Sequence, residues 1–288
     1  MIKILITGAN SYIGTSLEKW LARYSDKYIV ETIDMIGDSW KEKAFSGFDV
    51  VFHVAGIAHV SSAPKKKELY YRVNRDLTIE TAKKAKEAGV SQFIFMSSII
   101  VYGESGKIGQ GKVIDRDTIP EPKDFYGDSK LQAEKGLKAL ETDNFKVVIL
   151  RPPMIYGKGS KGNYPKLAKA ARILPIFPEI ENERSMLHID NLCEFIKLMI
   201  DNEESGLFFP QNKEYVKTSE MVKLIAEMYG KKIRLVKIFN SVLKLMGLKV
   251  GLINKVFGNL VYEESVSDYN RVNYQIRDLK DSIIATER

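Results

Sequence analysis

The first fourteen residues constrain this chain more than any other stretch. Ile2 to Ile6 is a short β-rich apolar run, and Thr7-Gly8-Ala9-Asn10-Ser11-Tyr12-Ile13-Gly14 follows at once, before a helical pattern through Leu17 and Leu21. That order predicts strand, tight turn, helix. A helix amino end carries the positive pole of the helix dipole and amides that suit an anion, and glycines let a diphosphate approach them closely. Ser11 stands where the pattern Gly-x-x-Gly-x-x-Gly has its middle glycine; a serine still offers its amide and adds a hydroxyl. A turn of this kind directly after a first strand points to a dinucleotide site, with Gly8, Asn10, Ser11, Tyr12, Ile13 and Gly14 around the diphosphate.

A second strand is predicted over Tyr28 to Ile33, ending at Asp34, where a carboxylate can accept hydrogen bonds from the adenosine ribose of NAD and repel a 2′-phosphate. No Arg or Lys follows until Lys41, which favours NAD(H) over NADP(H). The alternative is that Asp34 only caps the strand and Asp38 takes that role. Val50-Val51-Phe52-His53-Val54-Ala55-Gly56 reads as a buried parallel strand running into a small-residue turn where a cofactor could pass, at Ala55 and Gly56. His53, inside the apolar run, is expected to be a packed core histidine. Leu69 to Glu87 is predicted as one helix, with Asn74 near its first turns facing the cofactor side. Phe93 to Met96 is the next strand, ending in Ser97-Ser98, and open α/β sheets gather their active residues at such carboxyl ends. Gly103 to Lys123 is expected to be a loop. Further helices are predicted over Ile189 to Asp201 and Ser219 to Tyr229.

Tyr126 and Lys130 stand four apart at a helix start and so project from one face. A free phenol titrates near ~10 and is a poor base at neutral pH, but an adjacent ammonium favours the phenolate. With that help Tyr126 could move a proton on and off a hydroxyl. The same spacing occurs by chance in many helices, so a redox partner elsewhere in the chain has to complete the site.

With 288 residues, 44% of them hydrophobic and 28% charged, the chain can bury a full core. A single cysteine, Cys193, excludes an intramolecular disulfide framework, and no apolar run approaches the ~20 residues that span a bilayer. The first residues enter a strand pattern directly, without a leader pattern, so a reducing cytoplasm is expected. The net charge of +7 reads as a modest excess of 44 basic over 37 acidic residues spread through the chain. Lys65-Lys66-Lys67 is expected to be a solvated loop, and no nucleic-acid signature is present.

Taken together, these residues resemble the extended short-chain dehydrogenase/reductase superfamily, in its nucleotide-sugar epimerase, dehydratase and ketoreductase branch. The carriers are Thr7-Gly8 through Gly14, His53-Val54-Ala55-Gly56, Ser97-Ser98 with Val101-Tyr102-Gly103, Tyr126 with Lys130, Arg151-Pro152-Pro153 with Tyr156-Gly157, and Arg184 with His188-Ile189-Asp190. The resemblance implies an α/β fold: a Rossmann-type doubly wound parallel sheet, mainly residues 1–155, binding NAD(H). A smaller mixed α/β C-terminal region, mainly 156–288 and interleaved with the first, would bind the nucleotide sugar. It implies Ser98 as the hydroxyl that orients the sugar oxygen, with Ser97 as the fallback, Tyr126 as acid/base, and Lys130 on the nicotinamide ribose. It further implies Pro153 beside the cofactor, Asn163 near the nucleotide diphosphate, and Arg184 gripping that diphosphate; a surface ion pair of Arg184 with Glu181 or Glu183 is the other reading. No metal is implied.

Ile99-Ile100 occupy the place of the acidic pair that dehydratases of this branch carry, so dehydration is not expected. Arg151-Pro152-Pro153, Lys161-Gly162-Asn163 and Asn182-Glu183-Arg184-Ser185 are similar to bacterial enzymes that reduce 4-keto-6-deoxy-N-acetylhexosamine nucleotides. The resemblance therefore implies NAD-dependent chemistry at carbon 4 of a UDP-hexose or UDP-N-acetylhexosamine, as 4-epimerase or 4-ketoreductase, in surface polysaccharide synthesis. It implies a UDP-sugar and a second copy of the chain as partners, without nucleic acid or membrane insertion. A non-enzymatic NAD-binding sensor or scaffold is the alternative, and the intact Ser98, Tyr126, Lys130 set speaks against it.

Between Asn240 and Val261, Val242, Leu243, Leu245, Met246, Leu248, Leu252, Ile253, Val256, Phe257 and Leu260 crowd a stretch that also carries Lys244, Lys249 and Lys255. Such a mixture also describes a basic amphipathic helix on an anionic membrane. Gly247, Gly251 and Gly258 break it into short helices, however, so it is expected to pack on the C-terminal region and roof the sugar cleft, leaving the protein soluble without detergent.

Overall fold

Strand β1 (Ile2–Thr7) is fully buried from Ile4 to Thr7, the pattern of a strand covered on both faces. In the computed structural model, which describes residues 1–58, 66–106, 108–247, 251–269 and 272–288, it lies inside a six-stranded sheet. The other strands are β2 (Tyr28–Ile33), β3 (Val50–His53), β4 (Gln92–Met96), β6 (Lys146–Leu150) and β10 (Gly206–Phe208). All pairs are parallel and the order is β10-β6-β4-β3-β1-β2. The chain moves from β1 outward to β2, then crosses back to place β3 on the other side of β1. Such a reversal opens a crevice at the carboxyl ends of β1 and β3.

The chain divides into two compact units. Unit 1 comprises Met1–Gly103, Ile119–Pro152 and Leu192–Pro210, and contains this sheet with α1 (Tyr12–Leu21), α2 (Lys67–Tyr70), α3 (Leu77–Glu87), α4 (Phe125–Lys138) and α6 (Ile189–Asp201) from Leu192 onward. Phe45, Val51, Phe93, Phe95, Phe145 and Ile149 form part of its core.

The single helix predicted over Leu69–Glu87 is three segments. A wide π turn over Tyr71–Asp76 separates α2 from α3. Thr78 Oγ1 donates to the Asn74 carbonyl, 2.9 Å, inside this stretch, a back-bond that competes with the helical ladder. The Asn74 side chain is meanwhile drawn onto Ile57 and Ser129. Of the lysine run, Lys65 lies outside the described residues, and Lys66 and Lys67 are exposed.

Unit 2 comprises Glu104–Thr118, Pro153–Asn191 and Gln211–Arg288. It holds three parallel strand pairs: β5 (Val113–Ile114) with β12 (Val261–Tyr262), β7 (Met154–Tyr156) with β9 (Met186–His188), and β8 (Ile176–Pro178) with β11 (Arg234–Val236). The segment expected to be loop over Gly103–Lys123 thus contributes a short strand. Its helices are α5 (Tyr164–Ile173), α7 (Thr218–Met228), α8 (Asn240–Gly247), α9 (Gly251–Phe257) and α10 (Leu279–Glu287). Tyr156, Tyr164, Met221, Ile225, Phe257 and Ile283 belong to a second core. Among the described residues no helix is long and apolar enough to cross a membrane.

Candidate functional site

The β1–α1 loop turns through left-handed backbone at Gly8, φ +89°, and Asn10, φ +63°. A Cβ on Gly8 would stand 3.0 Å from both the nitrogen and the Cα of Ala55, so the chain leaving β3 can pass there only over a glycine. Ser11, in place of the middle glycine, is the N-cap of α1: its Oγ accepts from the Gly14 amide at 3.2 Å, ahead of Tyr12 and Ile13 in the first turn. A Cβ on Gly14 would fall 2.6 Å from that Oγ and 3.2 Å from Ile6, so cap and glycine go together. Beneath the loop, Thr7 and His53 are register partners of β1 and β3, and Thr7 Oγ1 meets His53 Nδ1 at 2.8 Å. His53 Nε2 meets Thr78 Oγ1 at 3.0 Å, and burial pushes the imidazole down to about 3, a neutral core histidine as the sequence suggested. Asp34 follows β2 directly, is exposed, and accepts the Ile36 amide at 3.0 Å; Asp38 pairs with Lys41 at 3.0 Å.

Ser98 follows β4 and caps a short 3-10 turn over Ile99–Tyr102, its Oγ accepting the Ile100 amide at 3.3 Å. The same serine lies near enough to Tyr126 to favour its phenolate. Two features of α4 make that possible. Asp124 caps the helix through the Gly127 amide, 2.8 Å, and a Cβ on Gly127 would lie 2.8 Å from the Ile100 carbonyl oxygen. The helix therefore approaches the Ser98 turn at a distance only glycine permits. Lys130, one turn beyond Tyr126, is buried; its Nζ donates to the Met96 carbonyl at 2.7 Å and lies 4.6 Å from the centroid of the Phe95 ring. A Cβ on Gly56 would meet Lys130 Nζ at 3.3 Å and Asn74 Oδ1 at 3.1 Å. The bare backbone of Gly56 is thus set against the lysine and the asparagine.

Asn74 is fully buried, accepts from the Ile57 amide at 2.8 Å, and donates to the Ile57 carbonyl at 3.1 Å and to Ser129 Oγ at 3.2 Å. It ties the chain after Gly56 to the helix that carries Tyr126.

One electrostatic expectation is corrected. Lys130 was expected to lower the Tyr126 phenol, but burial pushes that phenol up to about 12, against the opposing pull of Ser98. The lysine is itself brought down to about 7 by burial, with Glu134 pulling the other way. The physical reason is direction: the ammonium turns to Met96 and Gly56, and lost hydration dominates at both groups.

Glu134, a further turn along the same face of α4, is a residue the sequence reading missed. Both its oxygens receive Arg151, Nε to Oε1 at 3.0 Å and Nη2 to Oε2 at 2.5 Å, while Arg151 Nη1 donates to the Tyr102 hydroxyl at 2.6 Å. Ser97 Oγ donates to the same carboxylate, so the fallback serine is engaged there while Ser98 meets Tyr126. The spacing 126, 130, 134 was the signal available. Gly127 was also missed, because nothing in a sequence announces which helical glycine faces a carbonyl.

In unit 2, Asn163 and Arg184 line one narrow pocket with Met154, Met186, Lys255 and Val256. Arg184 Nη1 donates to the Gly258 carbonyl at 2.9 Å and to Ser105 Oγ at 3.2 Å, and burial pushes its guanidinium down to about 10. Glu181, one of the two carboxylates considered for it, pairs instead with Lys217 at 2.5 Å. Pro153 is buried at the first position of this segment of unit 2.

The model of the NAD dependent epimerase/dehydratase family matches residues 4–209. The chain belongs to this family. It is 35% identical over 247 residues to a UDP-glucose 4-epimerase of Vibrio cholerae, covering 77% of this chain and 74% of that one. It is 28% identical over 250 residues to the N-acetyl-alpha-D-glucosaminyl-diphospho-ditrans,octacis-undecaprenol 4-epimerase of Escherichia coli O157:H7, covering 80% and 73%. The fold matches that of UDP-glucuronic acid 4-epimerase from Bacillus cereus in complex with UDP-glucuronic acid and NAD, with a TM-score of 0.74 at 22% identity, over 99% and 98% of the chains.

As an epimerase/dehydratase family member the chain is an NAD-dependent enzyme, and the residues present fit that cofactor. The left-handed turn at Gly8 and Asn10 precedes the amino end of α1, and a side chain at Gly56 would fill the space in front of Lys130. The structure brings Ser98, Tyr126, Lys130, Gly56 and Asn74 together in unit 1, and Asn163 with Arg184 in unit 2.

Proposed function

We propose that the chain is a UDP-hexose or UDP-N-acetylhexosamine 4-epimerase acting with NAD(H). The observation that carries this reading is Ser98, after β4, brought beside Tyr126 of α4, with Lys130 buried one helical turn away, in a member of this family. The curated relative from Vibrio cholerae supports carbon 4 as the site of reaction. In this reading unit 1 holds NAD(H) through Gly8, Asn10, Ser11, Tyr12, Ile13, Gly14, Asp34, Ala55, Gly56, Asn74 and Lys130, with Pro153 contributing from its own segment. Unit 2 holds the sugar diphosphate through Asn163 and Arg184, whose planar fork suits an anion with paired oxygens.

NAD held by these residues would supply the hydride acceptor for carbon 4 and, once reduced, the hydride donor to the 4-ketone. The chain's own residues manage the proton on O4. Ser98 donates a hydrogen bond to O4, and Tyr126 receives its proton as the carbonyl forms and gives it back as the carbonyl is reduced. The raised Tyr126 pKa keeps the phenol protonated at neutral pH, the form that reduction of a 4-ketone requires. A 4-ketoreductase would use this half-reaction alone. The reading places the enzyme in the cytoplasm as a homodimer that serves surface polysaccharide synthesis, and the buried thiol of Cys193 accords with a reducing compartment.

The test is to denature the purified protein, quantify released dinucleotide, and assay C4 interconversion of UDP-glucose and UDP-N-acetylglucosamine without added cofactor. Near-equimolar NAD and interconversion are expected, and Tyr126→Phe should lose ~10²–10⁴-fold in kcat while retaining cofactor and UDP binding. Turnover of 4-keto sugars only, with added NADH, would replace the epimerase by the reductase. NADH binding with no turnover of either substrate would leave a sensor module.

A further inference from the structure

The chain's positive charge is not spread along it, as composition alone suggested. From Lys231 to Tyr262 there are seven basic residues and no Asp or Glu, while the remainder holds 37 of each sign; this one stretch carries the whole net charge of +7.

The stretch also packs inward only in part. Leu243 of α8 and Ile253, Val256 and Phe257 of α9 pack in the core of unit 2, as expected from the sequence. The other side of α8 does not. Val242, Leu245 and Met246, spaced i, i+3, i+4 along one face, are 56%, 66% and 45% exposed. Ile238 and Phe239, just ahead of the helix, are 79% and 41% exposed. Lys237, just ahead of Ile238, and Lys244, within α8, are exposed, as are Lys231, Lys232 and Arg234 earlier in the stretch. Leu248, Lys249 and Val250, which the sequence reading included, lie outside the described residues.

Five large apolar side chains brought to solvent by one short segment are more than scattered surface hydrophobics, and mark a surface that something covers. Charge decides what. A second copy of the same face would set like charges against each other, and a nucleic acid would leave the aliphatic side chains uncovered. An anionic bilayer satisfies both features at once, apolar side chains entering the acyl boundary while lysines meet headgroup phosphates. At ~1.5 Å per residue the eight residues of α8 are far too short to span a membrane, so contact is in the plane of the surface.

We propose that the Ile238–Met246 face of unit 2 docks this enzyme peripherally on an anionic lipid bilayer. Helix α8 packs on α9, which carries Lys255 and Val256 of the Asn163–Arg184 pocket.

The experiment is co-sedimentation of the full chain with phosphatidylcholine vesicles containing phosphatidylglycerol, at physiological salt, beside pure phosphatidylcholine vesicles. Binding is expected to the anionic vesicles and to fall with added salt. Lys237→Gln and Lys244→Gln should each weaken it about fivefold. The double variant Val242→Glu, Leu245→Glu should weaken it at least about tenfold while keeping the native circular dichroism spectrum and turnover in solution. Sedimentation is read without turnover, so a wrong assignment of the substrate leaves the result intact. The proposal is overturned if the wild-type chain stays in the supernatant, if it binds both vesicle types equally, or if the double variant pellets like the wild type. It is equally overturned if the double variant instead splits an oligomer, which would make this face a contact between copies.

Discussion

Replacing Gly127 by alanine separates stability from catalysis in this fold. The new Cβ would stand 2.8 Å from the Ile100 carbonyl oxygen and 3.0 Å from Pro122 Cβ, whereas ordinary contact begins at 3.4 Å. Helix α4 must therefore back away from the Ser98 turn by roughly 0.6 Å, since a close-packed interior transmits such a shift instead of absorbing it. Two stability effects oppose each other. Alanine recovers up to about 1 kcal/mol of helix propensity, and overpacking costs about 1–3 kcal/mol, so a net loss of no more than about 3 kcal/mol is expected in urea unfolding. Catalysis has no such compensation. Tyr126 is the neighbouring residue and Ser98 lies at the start of the turn that Ile100 belongs to, so the displacement acts on the approach of Tyr126 to Ser98. A misplacement of about 1 Å can cost ~10²-fold, and the smaller shift here is expected to lower kcat about tenfold. The assay pairs a urea titration with C4 epimerisation at saturating UDP-sugar. A variant that keeps kcat within about twofold of the parent would refute the argument that this glycine sets the approach of Tyr126 to Ser98.

Two further perturbations test the interior of unit 1. Glu134→Gln leaves the buried Arg151 guanidinium without its carboxylate, and should lower stability by about 3–5 kcal/mol, most of it recovered when Arg151→Met is added; equal losses in the single and double variants would sink the idea of a coupled pair. His53 is held near 3, below its unfolded value near 6.5, so the unfolded chain binds the extra proton and stability falls as pH drops through that window. Between pH 7 and about 4.5 the loss from this one group is about 2–3 kcal/mol, and His53→Gln should lose that much less over the same interval in urea midpoints. An unchanged pH slope would count against a buried neutral imidazole.

The inner strands β1, β3, β4 and β6 were legible because they are apolar runs that had to be buried on both faces, from Ile4 in β1 to Leu150 in β6, whereas the short edge strand β10 was not foreseen. The loop was legible for the same kind of reason: Gly8 meets the Ala55 backbone, and Gly14 meets its own N-cap serine. Local chemistry of that sort is written in a few consecutive residues. What the sequence hid is what distant segments do to each other. The break at Tyr71–Asp76 depends on Asn74 finding Ile57 and Ser129, the role of Gly127 depends on the Ile100 carbonyl, and the outward face of α8 depends on which of its leucines the core accepts. The direction of Lys130 belongs to the same class, since i,i+4 spacing puts two side chains on one face without saying where their tips go.

That last distinction changes how the face of α4 works. Tyr126, Lys130 and Glu134 form a stripe along one face of α4, and burial dominates the ionisation of the first two. Burial brings Lys130 down to about 7 against the opposing pull of Glu134, whose carboxylate also holds Arg151. An anionic or hydroxyl-bearing ligand beside Gly56 adds hydrogen bonds and charge that favour the ammonium, and an ammonium near Tyr126 favours the phenolate. The order matters: with the lysine directed at Met96 the tyrosine stays a protonated donor, and only a ligand that engages Lys130 couples the two. Base strength at Tyr126 is on this account conditional on occupancy at Gly56.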